Sequence, residues 1–149
     1  MKKTYLLLTI LIAFIQGCKD NNDCNELCFT PPENFQFEIV DKTSGENLFT
    51  NGTYNVQDII VTNVMDNSPV EFTFISENDM NLIQIGSIGF KTEIVNLKVD
   101  ISGNYIFSFY VDAERKEGCC SYTLYKEISI SEAEFELDKQ SEVYKILVE

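Results

Sequence analysis

The sequence predicts an all-β protein folded as a single antiparallel β-sandwich, and three observations carry this. Apolar and polar residues alternate along many short stretches, the period of a strand with one buried face. Turn residues separate those stretches at intervals of about 8–12 residues, the spacing of sandwiches and barrels. Beyond the N-terminal segment, no window holds the roughly 3.6-residue apolar repeat of an amphipathic helix.

The elements follow in chain order. Phe35, Phe37 and Ile39 alternate with Gln36 and Glu38, which reads as a half-buried strand. Asp41 to Gly45 ends it with turn chemistry, and Asn51-Gly52 is a second turn because both residues tolerate positive φ. Ile59 to Met65 is a mostly apolar run, closed by Asp66-Asn67-Ser68-Pro69. Val70, Phe72 and Phe74 alternate next, and Met80 to Ile85 is a less regular run broken by Gly86 and Gly89. Val95, Leu97, Val99 and Ile101 show the cleanest alternation, repeated by Tyr105, Phe107, Phe109 and Val111. A polar loop is expected over Asp112 to Gly118. After it, Cys120, Tyr122 and Leu124 share one face with Ile128 and Ile130, while Ser121, Thr123 and Tyr125 take the other. Phe135 and Leu137, then Tyr144, Ile146 and Val148, complete the set. A small closed barrel is the alternative architecture for so many short strands.

The N-terminal segment is of another kind. Lys2 and Lys3 precede a nearly continuous apolar run of eleven residues, Tyr5 to Ile15. A bilayer-spanning helix needs roughly 20 such residues, so the run is too short to span. A positive start, a short apolar core and a small residue at its end read as a secretory signal. The run ends in Ile15-Gln16-Gly17-Cys18, which resembles the lipobox of bacterial lipoproteins; Gln16 departs from the small residue usual there. The resemblance implies that Cys18 is acylated and becomes the new N-terminus. The acid-rich Lys19-Asp20-Asn21-Asn22-Asp23 that follows resembles the export signals of small surface lipoproteins of the Bacteroidota. It implies a lipid-anchored protein of the outer membrane, exposed at the cell surface. The expected organisation is a signal peptide over 1–17, a lipidated tether over 18–34 and one β-domain over 35–149.

Removing 17 of the 149 residues leaves 132, enough for one domain, and takes two lysines away, so the formal charge moves from −13 to −15. Such a surface repels phosphate backbones, which excludes nucleic acid as a partner. With Cys18 assigned to lipid, Cys24, Cys28, Cys119 and Cys120 form an even set in an exported chain and predict disulfides. Neighbours on a strand point to opposite faces, so Cys119 and Cys120 should serve different partners. The preferred arrangement joins Cys24 and Cys28 to the Cys119-Cys120 pair, stapling an apolar-poor tether to the body. A zinc site would need all four thiolates to converge, because the chain has no histidine.

Leu97 to Phe107 resembles the corner before the F strand of immunoglobulin-like domains, where an Asp, a small residue and a Tyr precede an inward residue. The resemblance implies an immunoglobulin-like sandwich, with Tyr105 buried, its hydroxyl bonded to backbone near Asp100, and Phe107 in the place of the second core cysteine. The spacing is one residue longer than the pattern, and the chain has no Trp.

No residue set nominates a reaction. Histidine is absent, and there is no nucleophile elbow, phosphate loop or dinucleotide fingerprint. Asp20, Asn22 and Asp23, and Asp112 with Glu114, are oxygen donors close in sequence, yet neither group fits a calcium loop and both read as solvated. No metal and no cofactor is assigned. Tyr110, Tyr125 and Ile106 are read as outward-facing and covered by the tail strand. The functional expectation is a non-catalytic binding, adhesion or assembly-accessory module, held to the membrane through Cys18 and contacting a protein or glycan. A small-ligand carrier is the alternative if the strands close into a barrel.

Overall fold

A computed structural model describes residues 28–149. The first five strands are β1 (Cys28–Phe29), β2 (Phe35–Asp41), β3 (Ile59–Asn63), β4 (Thr73–Ile75) and β5 (Leu82–Ile85). The second five are β6 (Glu93–Ile101), β7 (Asn104–Lys116), β8 (Cys120–Ser131), β9 (Glu134–Asp138) and β10 (Val143–Val148). They form two five-stranded sheets, ordered β1-β8-β7-β6-β3 and β4-β5-β2-β10-β9. Each sheet keeps its own edges, so the architecture is a sandwich and the barrel alternative falls.

Alternation places the core where the sequence puts it. Phe35 and Phe37 of β2 meet Phe107 and Phe109 of β7 with ring centroids 4.9–5.0 Å apart. Ile39, Ile83, Ile85, Leu97, Val99, Ile101, Val111 and Ile146 fill the space around them, each fully buried. Edge-to-face packing of this kind adds to the area term that holds the sheets together.

Two strand pairs depart from the expected antiparallel pattern. β1 runs parallel to β8, and β10 runs parallel to β2. Both unite strands far apart in the chain, which a parallel pair requires because a tight hairpin cannot join it. The sheets are therefore mixed.

Strands β2 to β7 adopt the order β4-β5-β2 against β3-β6-β7. This is the order of strands D-E-B against C-F-G in immunoglobulin domains. The neighbour of β2 on its other side is β10, supplied by the C-terminus. In this frame β6 holds the F position, so the resemblance noted over Leu97 to Phe107 falls one connection too late. That stretch is the β6–β7 hairpin, closed by Ser102 and Gly103, both with positive φ (53° and 77°), as a two-residue hairpin turn demands. Tyr105 lies opposite Asp100, is 44 % exposed, and exchanges its hydroxyl hydrogen bond with Ser108 Oγ at 2.6 Å rather than with backbone. Asp100 pairs with Lys98 at 2.7 Å. The corner role for Asp100 and Tyr105 is thus overturned, while Phe107 is fully buried as expected.

Two bulges explain the other reversals. The β6–β7 register shifts between Val99 and Asp100, leaving Ile106 unpaired, and Ile106 turns inward beside Phe107 instead of outward. The β7–β8 register shifts between Asp112 and Ala113, leaving Lys126 extra. One inserted residue flips every later side chain to the other face. Ser121, Thr123 and Tyr125 therefore face inward with Ile128 and Ile130, and Cys120, Tyr122 and Leu124 face solvent. The expected loop over Asp112 to Gly118 is mostly strand, since β7 runs to Lys116.

We call the end holding the β7–β8 turn the lower end, and the end holding Ser102-Gly103 the upper end. The segment from Cys28 rises beside β8, crosses the lower end and enters β2. It pairs with β8, and Pro32 is buried, so residues 28–34 belong to the body rather than to a free tether.

Candidate functional site

The lower end is a polar clamp. Below the Lys126 bulge the inward face of the first sheet carries Arg115, Ser121, Thr123 and Tyr125, and the strap from Thr30 to Asn34 and the loop from Ile88 to Thr92 cover it. Arg115, the only arginine of the chain, donates from Nη1 to Thr30 O (3.1 Å) and Thr123 Oγ1 (2.9 Å), and from Nη2 to Ser121 Oγ (2.9 Å). Its guanidinium lies 4.8 Å from the centre of the Phe29 ring. Thr123 Oγ1 donates in turn to Gly89 O at 2.6 Å. Tyr125 packs edge-on against Phe35, accepts from Glu33 N at 2.9 Å, and donates to Ile88 O at 3.5 Å. Burial pushes its phenol upward in pKa. Gly89 closes the clamp at φ 98°, where an added Cβ would meet Thr123 and Tyr125 at 2.9 Å.

Cys28 and Cys120 are joined by a disulfide across the β1–β8 pair, with Cα atoms 4.4 Å apart. Cys119 is disulfide-bonded too. Cys18 and Cys24 lie outside the described residues, as do Asp20, Asn22 and Asp23. Among the described residues no group of three or more Cys, Asp or Glu is placed to hold a metal. Asp112 and Glu114 are on β7, and Glu114 accepts from Lys116 at 2.6 Å and pairs with Lys126 at 3.3 Å, which holds its carboxyl below the ordinary range.

The candidate binding site is the flank where the chain passes from β8 to β9. Among the described residues β9 pairs only with β10, so its other edge presents free backbone groups. Phe135 and Leu137 face inward opposite Ile146 and Tyr144, yet each stays 43 % exposed because no further strand of the described residues covers that side. Glu134, Glu136 and Asp138 face the opposite way. Asp138 is held at low pKa, first by the Gln140 N–H, then by the Ser141 hydroxyl.

A groove opens at each end of this strand. The lower one, about 350 Å³, is lined by Glu33, Asn34, Gln36, Leu137, Glu142 and Tyr144. Burial raises the Glu33 pKa, and the Glu142 charge adds to the rise. The Tyr144 phenol is raised by burial and then by the same two carboxylates. The upper groove, about 470 Å³, is lined by Lys42, Tyr105, Ile106, Glu134, Leu147 and Glu149. Lys42 bonds Glu134 at 2.9 Å and Glu149 at 3.1 Å, and those bonds raise its pKa. The flank thus offers free backbone partners, an apolar side and an acidic side, the requirements for taking up an extended segment.

Of the residues singled out from sequence, the fold unites Cys28 with Cys120 and separates Asp100 and Tyr105 from any buried role. Tyr110 stays half-buried on the outer face, apart from Tyr125 and Ile106. Arg115 and the β9 edge were missed. The signal for Arg115 was its parity with Val111 and Ala113, hidden by reading the stretch as a loop. Comparison with protein families, curated proteins and solved structures finds no match to this chain.

Proposed function

We propose that this chain is a lipid-anchored cell-envelope protein that works without catalysis, taking up an extended segment of a partner protein along its β8–β9 flank. The lipobox-like Ile15 to Cys18 and the acid-rich tether support anchoring at the outer membrane through Cys18, with the body at the cell surface. The observation that carries the binding reading is the free β9 edge with Phe135 and Leu137 half-exposed between two grooves. Three carboxylates on five residues repel a second copy of the same strand and favour a basic partner. The filled aromatic core favours this reading over a small-ligand carrier. Cys24 is the partner we propose for Cys119, completing two parallel bridges.

Titration with an alternating Lys-Val hexapeptide, followed by amide shifts, tests the flank. Shifts concentrated on Glu134 to Asp138, weakened by salt and lost in Glu136→Lys, are expected; a peptide that moves no β9 amide rejects the reading. Cys18→Ser should release the protein from the membrane fraction, and peptide mapping without reduction should find Cys24 linked to Cys119.

A further inference from the structure

We infer that the lower end of the sandwich is a membrane-facing surface, seated in the lipid interface by Phe29 and Phe90. This rests on the proposed anchoring through Cys18. Phe29 and Phe90 are the two most exposed phenylalanines among the described residues, at 60 % and 58 %. A single residue touches both segments that carry them. The Arg115 guanidinium lies over Phe29, while its backbone N–H donates to Thr92 Oγ1 at 3.0 Å. Thr123, bonded to Arg115, holds Gly89 O. Phe90 is therefore carried on a short loop pinned on one side by Thr123, which the Arg115 side chain holds, and on the other by the Arg115 backbone N–H.

The chain supplies the occupant. It leaves the body at Cys28, one residue before Phe29, and ten residues further back is Cys18. Ten residues reach at most about 35 Å, so a lipid on Cys18 holds this end within that distance of the bilayer, nearer than the upper end is held. Lys91 follows Phe90 in the chain and is 78 % exposed along its side chain, where it pairs with Glu93 at 3.7 Å; Lys116, next to Arg115 in the chain, pairs with Glu114 at 2.6 Å. Aromatic rings beside lysines are the chemistry of an interfacial contact, in which apolar groups enter about 5–10 Å below the headgroup level. The β9 flank and the upper groove then face along and away from the membrane, where a partner can reach them.

The chain has no tryptophan, so each single replacement adds one clean reporter. The lipidated full chain carrying Phe29→Trp, Phe90→Trp or, at the upper end, Ile60→Trp is reconstituted in phosphatidylcholine vesicles with brominated acyl chains. Emission from positions 29 and 90 should shift to the blue and roughly halve, with no change at 60. Protein that fails to float with the vesicles overturns both the anchor and the seat. Floating protein with unquenched reporters at 29 and 90 overturns the seat alone, as does equal quenching at 60.

Discussion

The two ends of the sandwich hold the same kinds of residue and use them in opposite ways. At the upper end Tyr105 and Lys98, Lys42 and Glu134, Ser102 and Asp58 meet at the surface, in turns that water can enter. At the lower end Tyr125, Arg115, Thr123 and Ser121 sit beneath a strap and a loop, stapled by a disulfide. A tyrosine hydroxyl bonded to another exposed side chain competes with water and contributes little. One on a half-buried ring that takes a backbone N–H of the strap and gives to a carbonyl of the facing loop ties two segments to the sheet. The Tyr125 hydroxyl reaches Ile88, in the β5–β6 connection. That is the place an immunoglobulin corner occupies, so the duty expected of Tyr105 is met from another strand.

Disrupting each end in turn tests this contrast. Removing the Cys28–Cys120 bridge, which closes 92 residues, by the double change to serine should cost about 2–5 kcal/mol in urea melts. A cost below about 1 kcal/mol would mean that the clamp and the proposed Cys24–Cys119 bridge hold the strap without it. Arg115→Ala should come next, at about 2–3 kcal/mol, because three hydrogen bonds from a charged donor are lost at once. Arg115→Lys should recover only part, since an ammonium cannot fork to three acceptors in the same plane. Tyr125→Phe should cost about 0.5–1.5 kcal/mol by removing the bonds to Glu33 N and Ile88 O, whereas Tyr105→Phe should stay within about 0.5 kcal/mol. Equal effects at the two tyrosines would erase the difference between the ends.

Acid should act weakly and mostly away from the clamp. Asp41, Asp66 and Asp138 are held low chiefly by hydrogen bonds from Ser44, Ser68 and Gln140, and Glu114 by Lys116. A folded-state pKa below the unfolded one gives stability that is present above about pH 4 and lost as pH falls through the folded value. Glu33 has the opposite sign: its raised pKa means that protonation favours the folded state. Tm should therefore decline gently from about pH 5 to pH 3, and more steeply in Glu33→Gln, which removes the one opposing group among the shifted carboxylates. A flat profile would show that the turns contribute nothing through these charges.

Much of this was legible in the residues themselves. Alternation marked β2, β6 and the first half of β7, because a period of two with apolar inner positions admits only a half-buried strand. Gly45 and Gly52 marked turns through their positive φ, and the even cysteine set pointed to bridges of which Cys28–Cys120 is one. The bulges were not legible. A residue inserted at Ile106 or Lys126 leaves the local pattern looking continuous, and only the partner strand shows where pairing slips. The length of β7 was hidden for a related reason: Glu114, Arg115 and Lys116 read as loop because their polar side chains find partners only across the hairpin and under the strap.

What the sequence by itself determined is the all-β class, the inner faces of its cleanest strands and an even cysteine set that predicts bridges. Those depend on local periodicity and on counting. What only the tertiary structure decided is which tyrosine is the clamp, that the sheets are mixed, and that among the described residues β9 ends as a free edge with Phe135 and Leu137 half-covered. Each of these depends on pairing between residues distant in the chain, and no local pattern encodes which strand will lie beside which.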